Sequence, residues 1–550
     1  MGENIVKPTR TSKKKVRTGC ITCKIRRIKC DESKPACLRC TRTGRKCDGY
    51  ASSPAPTAGP VVPAKPGKMA SKEGRAQEFF YQKTVPELSG FFGRSFWNTV
   101  LQFSLTEPAI RHATIALATL HEEHSSPMTA NMQPRDNLKF AIQSYNRSIG
   151  TVLKRASDPT SMPLVALASI VFTCFECLLG DPKAAAAHVA SGIGLLKMWR
   201  EKSGQPICSW GQNYRSFELS FVETHLAPVL CTLSLCVAEF GSPVDLYLNP
   251  VDFNSCPIFG EPFRELSESR VGLIDIITAA VRLGQEDAPV FEISVKAAGL
   301  STALECWKMR FDDLVQRRGH SWSDQDQGAA DLVRVMWQST AVGLSVGLAS
   351  NETAWDSHKS AYEEIIRLVE SLIARHQDAQ ASATFHFEMG IISPLHLVAW
   401  KCRWPQLRRK GLALLLASSR RECLYDAFLY HAVFSWIMTI EEDHLESPAG
   451  EMLSLADLPP EQARIHHFFC EPALPATENV YSLTVFSKPN WPEAMWCSRT
   501  EYIDAPGGAR PSSLSPTSPL SRLPVVNLFR TGPVSKELLQ QREPQLIVYF

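Results

Sequence analysis

Six cysteines near the N-terminus are the residues of this chain whose type and spacing support chemistry most directly. They follow the spacing C-x2-C-x6-C-x6-C-x2-C-x6-C, in which the segment C-x2-C-x6-C occurs twice. Two tetrahedral Zn2+ ions need eight ligand positions, and six thiolates fill them if two of the sulfurs each bridge both metals. The spacing therefore predicts a closed two-zinc cluster held by Cys20, Cys23, Cys30, Cys37, Cys40 and Cys47.

Two short helices are expected to position these ligands. In each copy of the segment, the first two cysteines are three residues apart, so both lie on one side of a first helical turn. The third cysteine returns to the metal after the helix. Since the arrangement occurs twice, we expect a metal core with pseudo-twofold symmetry.

A disulfide framework is the alternative interpretation of the six cysteines. Residues 1–15 are polar and basic, without the apolar segment of a secretory signal peptide, so we expect a compartment in which thiols stay reduced. The other cysteines are scattered from Cys174 to Cys497, which fits the same expectation. The zinc interpretation is therefore preferred.

From Arg17 to Gly49 the chain resembles the fungal binuclear zinc cluster (Zn2Cys6) transcription factors. The resemblance implies two Zn2+ ions per chain and binding to double-stranded DNA. By the family's pattern, Cys20 and Cys37 bridge the two ions. The resemblance implies that the other ligands pair as Cys23 with Cys30 at one metal and Cys40 with Cys47 at the other.

Positive charge is concentrated around the cysteines. Residues 1–50 contain 15 Lys and Arg against 4 Asp and Glu, whereas the remaining residues contain 44 against 52. A basic segment of this kind binds the phosphate backbone through counterion release. The cluster Lys13–Arg17 fits a nuclear import signal, and a solvated arm explains it equally well.

The run between the second and third cysteines has four cations in six residues, which is too dense for a protein core. In the family that this segment resembles, a short helix here enters the major groove, and the central basic pair reads a CGG triplet. The resemblance assigns that pair to Arg26 and Arg27, and an arginine can fork onto guanine O6 and N7. We expect Ile25 and Ile28 to pack against the metal core. Contacts to phosphate, which position the protein without reading sequence, are expected from Lys24, Lys29, Arg39, Arg42, Arg45 and Lys46.

Composition divides the chain into five parts. The Pro-rich and Ala-rich residues 51–76 predict an extended linker that packs no core. No heptad pattern follows it, so we expect any homodimer to form through the helical domain. The predicted parts are a disordered basic arm (1–15), the zinc module (16–50), the linker (51–76), a helical regulatory domain (77–500) and a largely disordered C-terminal segment (501–550).

Apolar residues recur at helical spacing in the region beyond the linker. Steps of three and four residues occur in Ile110–Leu120, Leu138–Val152 and Tyr362–Leu372. Strand-like alternation is scarce before the C-terminal region. The predicted fold class is therefore mainly α, with a small zinc module and a large all-α domain. Residues 79–196 also resemble the opening of the fungal-specific regulatory domain, which implies regulation rather than chemistry.

Three segments match catalytic motifs only in part. Gly343–Gly347 has the G-x-S-x-G pattern of a nucleophile elbow but falls within a predicted continuous helix, Ala329–Leu348. His121 and His124 are three residues apart, where zinc proteases require four, and we expect them at a surface helix end. Gly192–Gly194 lacks the third glycine and the preceding strand of a dinucleotide site. We therefore predict that the chain is not an enzyme.

Two further features have structural interpretations. Cys174 and Cys177 form a C-x2-C pair without a second pair nearby, so we expect two buried helix residues rather than a metal site. The longest apolar stretch, Leu164–Phe175, is too short to span a bilayer, so we expect no membrane partner.

These observations predict a nuclear, sequence-specific DNA-binding regulator of RNA polymerase II transcription that acts on the transcription machinery. What members of the resembled family often do suggests control of a biosynthetic gene cluster or a nutrient pathway. Two alternatives remain open. The zinc module could tether a small-molecule sensor or an enzyme to DNA, or the chain could bind DNA without a transcriptional output. An apolar pocket with converging polar groups would favour sensing.

Overall fold

The chain divides into two compact units, residues 1–69 and residues 70–550. The predicted basic arm, Arg27, most of the linker and the chain after Asp504 lie outside the described residues. The computed structural model describes residues 19–26, 28–49, 71–125, 134–155, 158, 161–203, 220–238, 261–286, 288–347, 349–377, 385–387, 389–418, 421–443, 458–472, 480–490 and 496–504.

The described part of the N-terminal unit contains two short helices, α1 (Ile21–Ile25) and α2 (Leu38–Thr41). Its two ends are joined, because the Ile21 N–H donates to the Gly49 carbonyl at 2.9 Å. Its buried cluster consists of cysteines, since a segment this small cannot form an apolar core. The fold of this unit therefore depends on what the cysteines bind.

The second unit is mainly helical, as its apolar periodicity predicts. The three segments predicted from that periodicity fall within α6 (Pro108–Ser125), α7 (Pro134–Leu153) and α14 (Lys359–Gln377), and the predicted faces of α6 and α14 are fully buried. The helices are α3 (Lys72–Phe79), α4 (Val85–Ser89), α5 (Arg94–Thr106), α6 (Pro108–Ser125), α7 (Pro134–Leu153), α8 (Met162–Leu179), α9 (Pro182–Ser203), α10 (Ala227–Ala238), α11 (Leu266–Gln285), α12 (Val290–Arg318), α13 (Asp324–Val346), α14 (Lys359–Gln377), α15 (Ile392–Lys401), α16 (Pro405–Ser418) and α17 (Ala427–Glu442).

Local sequence fixes where several of these helices begin and end. Helix α13 begins at a capping box, in which the Ser323 side chain accepts from the Asp326 N–H and the Asp326 carboxylate accepts in return. Helix α8 ends at Gly180, whose φ of 78° is accessible to glycine without strain. Helices adjacent in sequence pack together, α6 with α7 and α8 with α9, and share one continuous apolar core.

The second unit is not entirely helical, and in this respect the all-α prediction is corrected. An antiparallel sheet in the order β4-β5-β6 is formed by Ile465–Pro472, Val480–Ser487 and Cys497–Asp504. Two-residue strands β1 (Phe385–His386), β2 (Arg421–Glu422) and β3 (Tyr425–Asp426) form a second small sheet. The mainly α class is confirmed, and the described residues of the unit also include two small β-sheets.

Two predicted domain boundaries also differ from the structure. Helix α3 begins at Lys72, with the Ser71 hydroxyl accepting from the Gly74 N–H, so the helical unit begins before the predicted linker end at residue 76. Strand β6 continues to Asp504, past the predicted domain end at residue 500. In both cases a helix or strand extends past the residue at which the amino-acid composition changes.

The helix that contains the longest apolar stretch extends beyond that stretch at both ends. Helix α8 is 18 residues long, with a mean hydropathy of 2.1, so by length and composition it could cross a membrane. Within the fold 78% of it is buried, which is the environment of a core helix. Its burial explains its composition, because a helix packed on all sides is apolar all round.

A buried network of ion pairs joins the sheet to the helices. Arg403 donates to Glu352 at 3.0 Å and to Glu441 at 2.9 Å, and Arg408 donates to Glu441 at 2.7 Å. Arg464, just before β4, forms a two-pronged pair with Asp356 at 2.8 and 2.7 Å. These charges are shielded from water, so each depends on its partner.

Candidate metal centre and nucleic-acid interface

The six sulfurs of the N-terminal unit fall into two overlapping groups of four. One group contains Cys20, Cys23, Cys30 and Cys37, the other contains Cys20, Cys37, Cys40 and Cys47, and the Sγ atoms within each group lie within 4.8 Å of one another. The two groups share Cys20 and Cys37, whose Sγ atoms are 3.5 Å apart. Two four-ligand sites with two common ligands are what a bridged binuclear cluster requires.

The sulfur spacing fits zinc. A Zn–S bond of about 2.3 Å in a tetrahedron places neighbouring sulfurs about 3.8 Å apart. The Sγ atom of Cys23 lies 3.7 Å from that of Cys37, and the Sγ atom of Cys20 lies 3.8 Å from that of Cys40. An all-thiolate set at this spacing suits Zn2+, whereas Mg2+ and Ca2+ require oxygen ligands.

Backbone hydrogen bonds repeat in the two halves of the cluster. The Cys20 sulfur caps α1 by accepting from the Cys23 N–H at 3.4 Å, and the Cys37 sulfur caps α2 by accepting from the Cys40 N–H at 3.4 Å. The Cys20 N–H donates to Cys30 Sγ and the Cys37 N–H to Cys47 Sγ, at 3.4 and 3.5 Å. The predicted pseudo-twofold arrangement is therefore present in the hydrogen bonds as well as in the spacing.

Burial makes the two shared thiols, Cys20 and Cys37, poor anions without a metal. Desolvation raises the pKa of Cys20 to about 12, and it raises the pKa of Cys37 further. Without a cation both side chains therefore keep their protons at neutral pH. A bound Zn2+ supplies the charge that stabilises the thiolates, so metal binding releases protons here.

Asp31 is a structural residue that the sequence interpretation missed. Its carboxylate accepts from the Ser33 hydroxyl at 2.6 Å and from the backbone N–H groups of Leu38 and Arg39 at 3.0 and 3.1 Å. These hydrogen bonds, that from Ser33 first, hold its pKa well below the ordinary range. Asp31 thus ties the loop after Cys30 to the start of α2. The signal was a carboxylate directly after a ligand in an otherwise basic segment.

Most of the predicted DNA-contacting residues are exposed. Arg26 ends α1, is half-buried, and donates to the Thr43 hydroxyl at 3.3 Å. Arg27 lies outside the described residues, so its position relative to Arg26 stays a prediction. The other predicted DNA-contacting residues in the described part of the module are exposed: Lys24, Lys29, Arg39, Arg42, Arg45 and Lys46.

The expectation that Ile25 and Ile28 pack against the metal core is wrong. Ile25 is 74% exposed, and Ile28 is exposed as well. Among the described residues, the partly buried residue packed against the buried cysteines is Cys47. The cysteines fill the interior themselves, so the isoleucines remain on the surface among the cations.

None of the three partial catalytic motifs has the geometry of its enzyme class in the described residues. Ser345 lies inside α13, donates to the Val342 carbonyl at 2.7 Å and lacks the strand that an elbow needs. The surface position expected for His121 is wrong, because it is buried between Thr84 at 3.1 Å and Glu87 at 3.1 Å. A Cβ on Gly192 would lie 2.5 Å from the Ser169 hydroxyl, which is close helix packing.

The C-x2-C pair of the helical unit is buried, as predicted. Cys174 and Cys177 are both on α8 and fully enclosed, and the Cys177 sulfur lies 3.3 Å from that of Cys423. Among the described residues, the groups of three or more ligands that could hold a metal are those of the N-terminal cluster.

A surface cavity of about 340 Å³ lies in the helical unit, between α5 and the residues just before α10. Phe103 and Phe221 form its apolar side, with ring centroids 5.3 Å apart. The polar lining residues are Thr99, Gln102, Thr106, Ser220 and His225.

Comparison with known proteins identifies similar chains. The family model for the fungal Zn(2)-Cys(6) binuclear cluster domain matches residues 18–56. The aspercryptin biosynthesis cluster-specific transcription regulator atnN of Emericella nidulans is 24% identical over 81% of this chain and 90% of its own length. Transcription regulator lscL of Purpureocillium lilacinum is 28% identical over 32% of this chain and 48% of its own length. The transcriptional regulatory protein moc3 of Schizosaccharomyces pombe is 57% identical over 9% of this chain and 10% of its own length. No solved structure matches the chain.

Proposed function

We propose that this chain, whose residues 18–56 are a fungal Zn(2)-Cys(6) binuclear cluster domain that binds two zinc ions, regulates RNA polymerase II transcription by reading CGG-type triplets. Similar chains named as transcription regulators support a DNA-binding transcription factor. The observation that carries the proposal is the pair of four-sulfur groups sharing Cys20 and Cys37, surrounded by exposed cations.

The proposed zinc ligands are the six cysteines, with Cys20 and Cys37 bridging. One ion is completed by Cys23 and Cys30, and the other by Cys40 and Cys47. The grouping of the Sγ atoms supports this assignment, since each proposed set is one of the two groups within 4.8 Å. Zinc supplies structural stabilisation here, because all of its positions are filled by protein.

The proposed base-reading residues are Arg26 and Arg27. A guanidinium can donate two parallel hydrogen bonds to guanine O6 and N7, which distinguishes G from the other bases in the major groove. Exposed cations elsewhere in the module are proposed to bind phosphate and to fix its register. The residues proposed for phosphate contacts are Lys24, Lys29, Arg45 and Lys46.

Selection of binding sites from random DNA tests this proposal directly. We expect the full chain to enrich sequences that contain CGG or its complement CCG. Arg26→Ala and Arg27→Ala remove the donors to guanine O6 and N7, so they should weaken enrichment of the triplet. Lys46→Ala should retain the same triplet with weaker overall binding. Enrichment of sites without the triplet would contradict the assignment of the two arginines.

We propose a nuclear location and control of a biosynthetic gene cluster through the helical unit acting on the transcription machinery. The similarity of most of the chain to atnN, which is named as a biosynthesis cluster-specific regulator, supports the pathway class. Mapping of genomic occupancy, combined with transcript levels after deletion of the gene, tests it. Bound promoters that are scattered among unrelated genes would contradict cluster-specific control.

A second candidate role is small-molecule sensing by the helical unit. The 340 Å³ cavity supports it, since two aromatic rings and several hydroxyl groups line the same space. A compound library screened by thermal shift against the full chain and against Phe103→Ala tests the role. A stabilising compound whose effect disappears in the variant would support sensing, and one whose effect persists would contradict binding in this cavity.

A further inference from the structure

The longest described helix, α12, exposes apolar side chains on the face that points away from the core. Its packed face contains Ile293, Leu300, Trp307 and Phe311, all buried. On the opposite side, Phe291 is 81% exposed, and Val295 and Met309 are 56% and 59% exposed. A surface helix normally presents polar residues there, so this face has the composition of an interface.

The exposed residues follow the spacing of a helix-pairing seam. Phe291, Val295, Ala298 and Thr302 are exposed at steps of four, three and four residues, and Met309 continues the row after Glu305. Apolar residues at alternating steps of three and four form a straight stripe that a second helix can pack against. At 1.5 Å per residue the stripe is about 27 Å long.

We propose that this stripe, defined as Phe291, Val295, Ala298, Thr302 and Met309 of α12, is a self-association surface that pairs with the same stripe of a second copy of the chain. The proposal deepens the homodimer that is expected to form through the helical domain. It rests on the proposed function, because a single CGG triplet is too short to single out a genomic site, so a dimer would read two such triplets as half-sites. A helix that carries the same seam on both copies is self-complementary, as a twofold interface requires.

The exposed area is sufficient for weak association. The three large side chains of the stripe, Phe291, Val295 and Met309, leave roughly 350 Å² of surface in water. Two facing copies would remove about 700 Å² at most, which is the size of a transient interface rather than a stable one. We therefore expect a dimer that is weak free in solution and stronger on DNA with two half-sites, where both copies are held together.

Charge decides the direction of the pairing. Glu305 is exposed within the row of stripe residues. A parallel partner would place two Glu305 carboxylates face to face, which is unfavourable. An antiparallel partner centred near residue 300 places Phe291 against the partner's Met309 and Val295 beside the partner's Glu305. The macrodipoles of two antiparallel helices also attract each other. We therefore infer the antiparallel arrangement.

Sedimentation of the full chain without DNA tests the surface. We expect reversible dimerisation, and Phe291→Ser with Met309→Ser should raise the dimer dissociation constant at least tenfold. The matched control is Leu105→Ser with Leu153→Ser, which removes two other exposed apolar side chains and should leave association unchanged. Wild-type chain that stays monomeric up to 100 micromolar, or equal effects of both double variants, would overturn the proposal.

Cysteine cross-linking tests the direction, in a background where exposed Cys497 is replaced by serine. Antiparallel pairing predicts oxidised dimers for Phe291→Cys with Met309→Cys and none for Phe291→Cys alone. Cross-linking of the single variant would overturn the antiparallel arrangement. Neither experiment uses DNA, so failure of DNA recognition and failure of this surface give separate results.

Discussion

The sulfurs of Cys20 and Cys37 lie 3.5 Å apart, and each accepts a hydrogen bond from the backbone N–H three residues later. Each sulfur therefore caps one short helix and belongs to both four-sulfur groups. The other four cysteines belong to one group each. Loss of a shared thiol and loss of an unshared thiol should therefore affect zinc binding differently.

Replacement of a shared cysteine should disturb both metals, whereas replacement of an unshared one should disturb one. We expect a fragment of residues 1–60 to bind two Zn2+ ions and to lose its helices when zinc is removed, since the buried cluster in its described residues consists of cysteines. Cys37→Ala should then bind neither ion tightly, and Cys47→Ala should retain one. Metal analysis after dialysis measures the stoichiometry, and a Cys37→Ala fragment that retains both ions would contradict the bridged cluster.

Loss of a base contact and loss of a phosphate contact should differ in their salt dependence. Arg27→Ala should cost about 1–3 kcal/mol on a CGG site and barely change binding to unrelated DNA. Lys46→Ala should weaken both alike and lower the slope of log K against log salt by about 1. Binding titrations at several salt concentrations provide the comparison. Equal losses on both DNAs for Arg27→Ala would show that this arginine does not read bases.

The adjacent arginines Arg408 and Arg409 provide a matched test of burial. Arg408 is enclosed and donates to Glu441 at 2.7 Å, whereas Arg409 is exposed and pairs with Glu442. Arg408→Met leaves a buried carboxylate with one partner fewer and should cost about 3–5 kcal/mol. Arg409→Met should cost about 0–1 kcal/mol. Thermal unfolding of the full-length variants compares the two losses of stability. Similar midpoints would mean that the buried ion-pair network contributes little to stability.

Buried Glu176 should make the stability of the helical unit depend on pH. Burial raises the pKa of Glu176 from 4.5 to about 7. The Tyr145 hydroxyl donates to its carboxylate and lies 2.7 Å from His188 Nε2. Between pH 4.5 and 7 the folded chain holds a proton that the unfolded chain has lost, so stability falls as pH rises through this window. Nearby Asp181 raises the pKa in the same direction.

Glu176→Gln keeps the hydrogen-bonding shape and removes the titration. The wild type should lose about 2 kcal/mol of stability between pH 5 and 7.5 through this group, and we expect the variant not to show that loss. Urea unfolding at the two pH values measures the difference for both proteins. An identical pH dependence in the variant would assign the effect to other groups.

The zinc module was predictable because metal ligands must occur at fixed spacing. The surface of the module was harder to predict. Ile25 and Ile28 are apolar and look like core residues in the sequence, but the structure shows that the cysteines fill the interior and leave both isoleucines exposed. Asp31 was missed for a related reason. Its N–H partners on Leu38 and Arg39 are seven and eight residues away, across a loop whose path the sequence does not specify.

The helical unit was also predictable only in part. Helices α6, α7 and α14 were predicted from local periodicity, which is set by neighbours within a few residues. In β5, buried Tyr481, Leu483 and Val485 alternate with less buried residues, so a strand signal was present near the C-terminus. The buried ion pairs were not predictable, because Arg403 meets Glu352, 51 residues earlier, only after the chain has folded.

The ion pairs around Arg464 limit how deletion mapping of this chain can be interpreted. Arg464 neutralises Asp356, and Glu461 accepts from the backbone N–H groups of Glu352 and Thr353, both at 2.8 Å. A truncation that ends before residue 461 leaves Asp356 as an uncompensated charge in the interior, so the remaining helices should collapse or aggregate. Loss of reporter output in such a truncation would measure misfolding rather than removal of a recruitment surface. Informative truncations therefore end after Asp504.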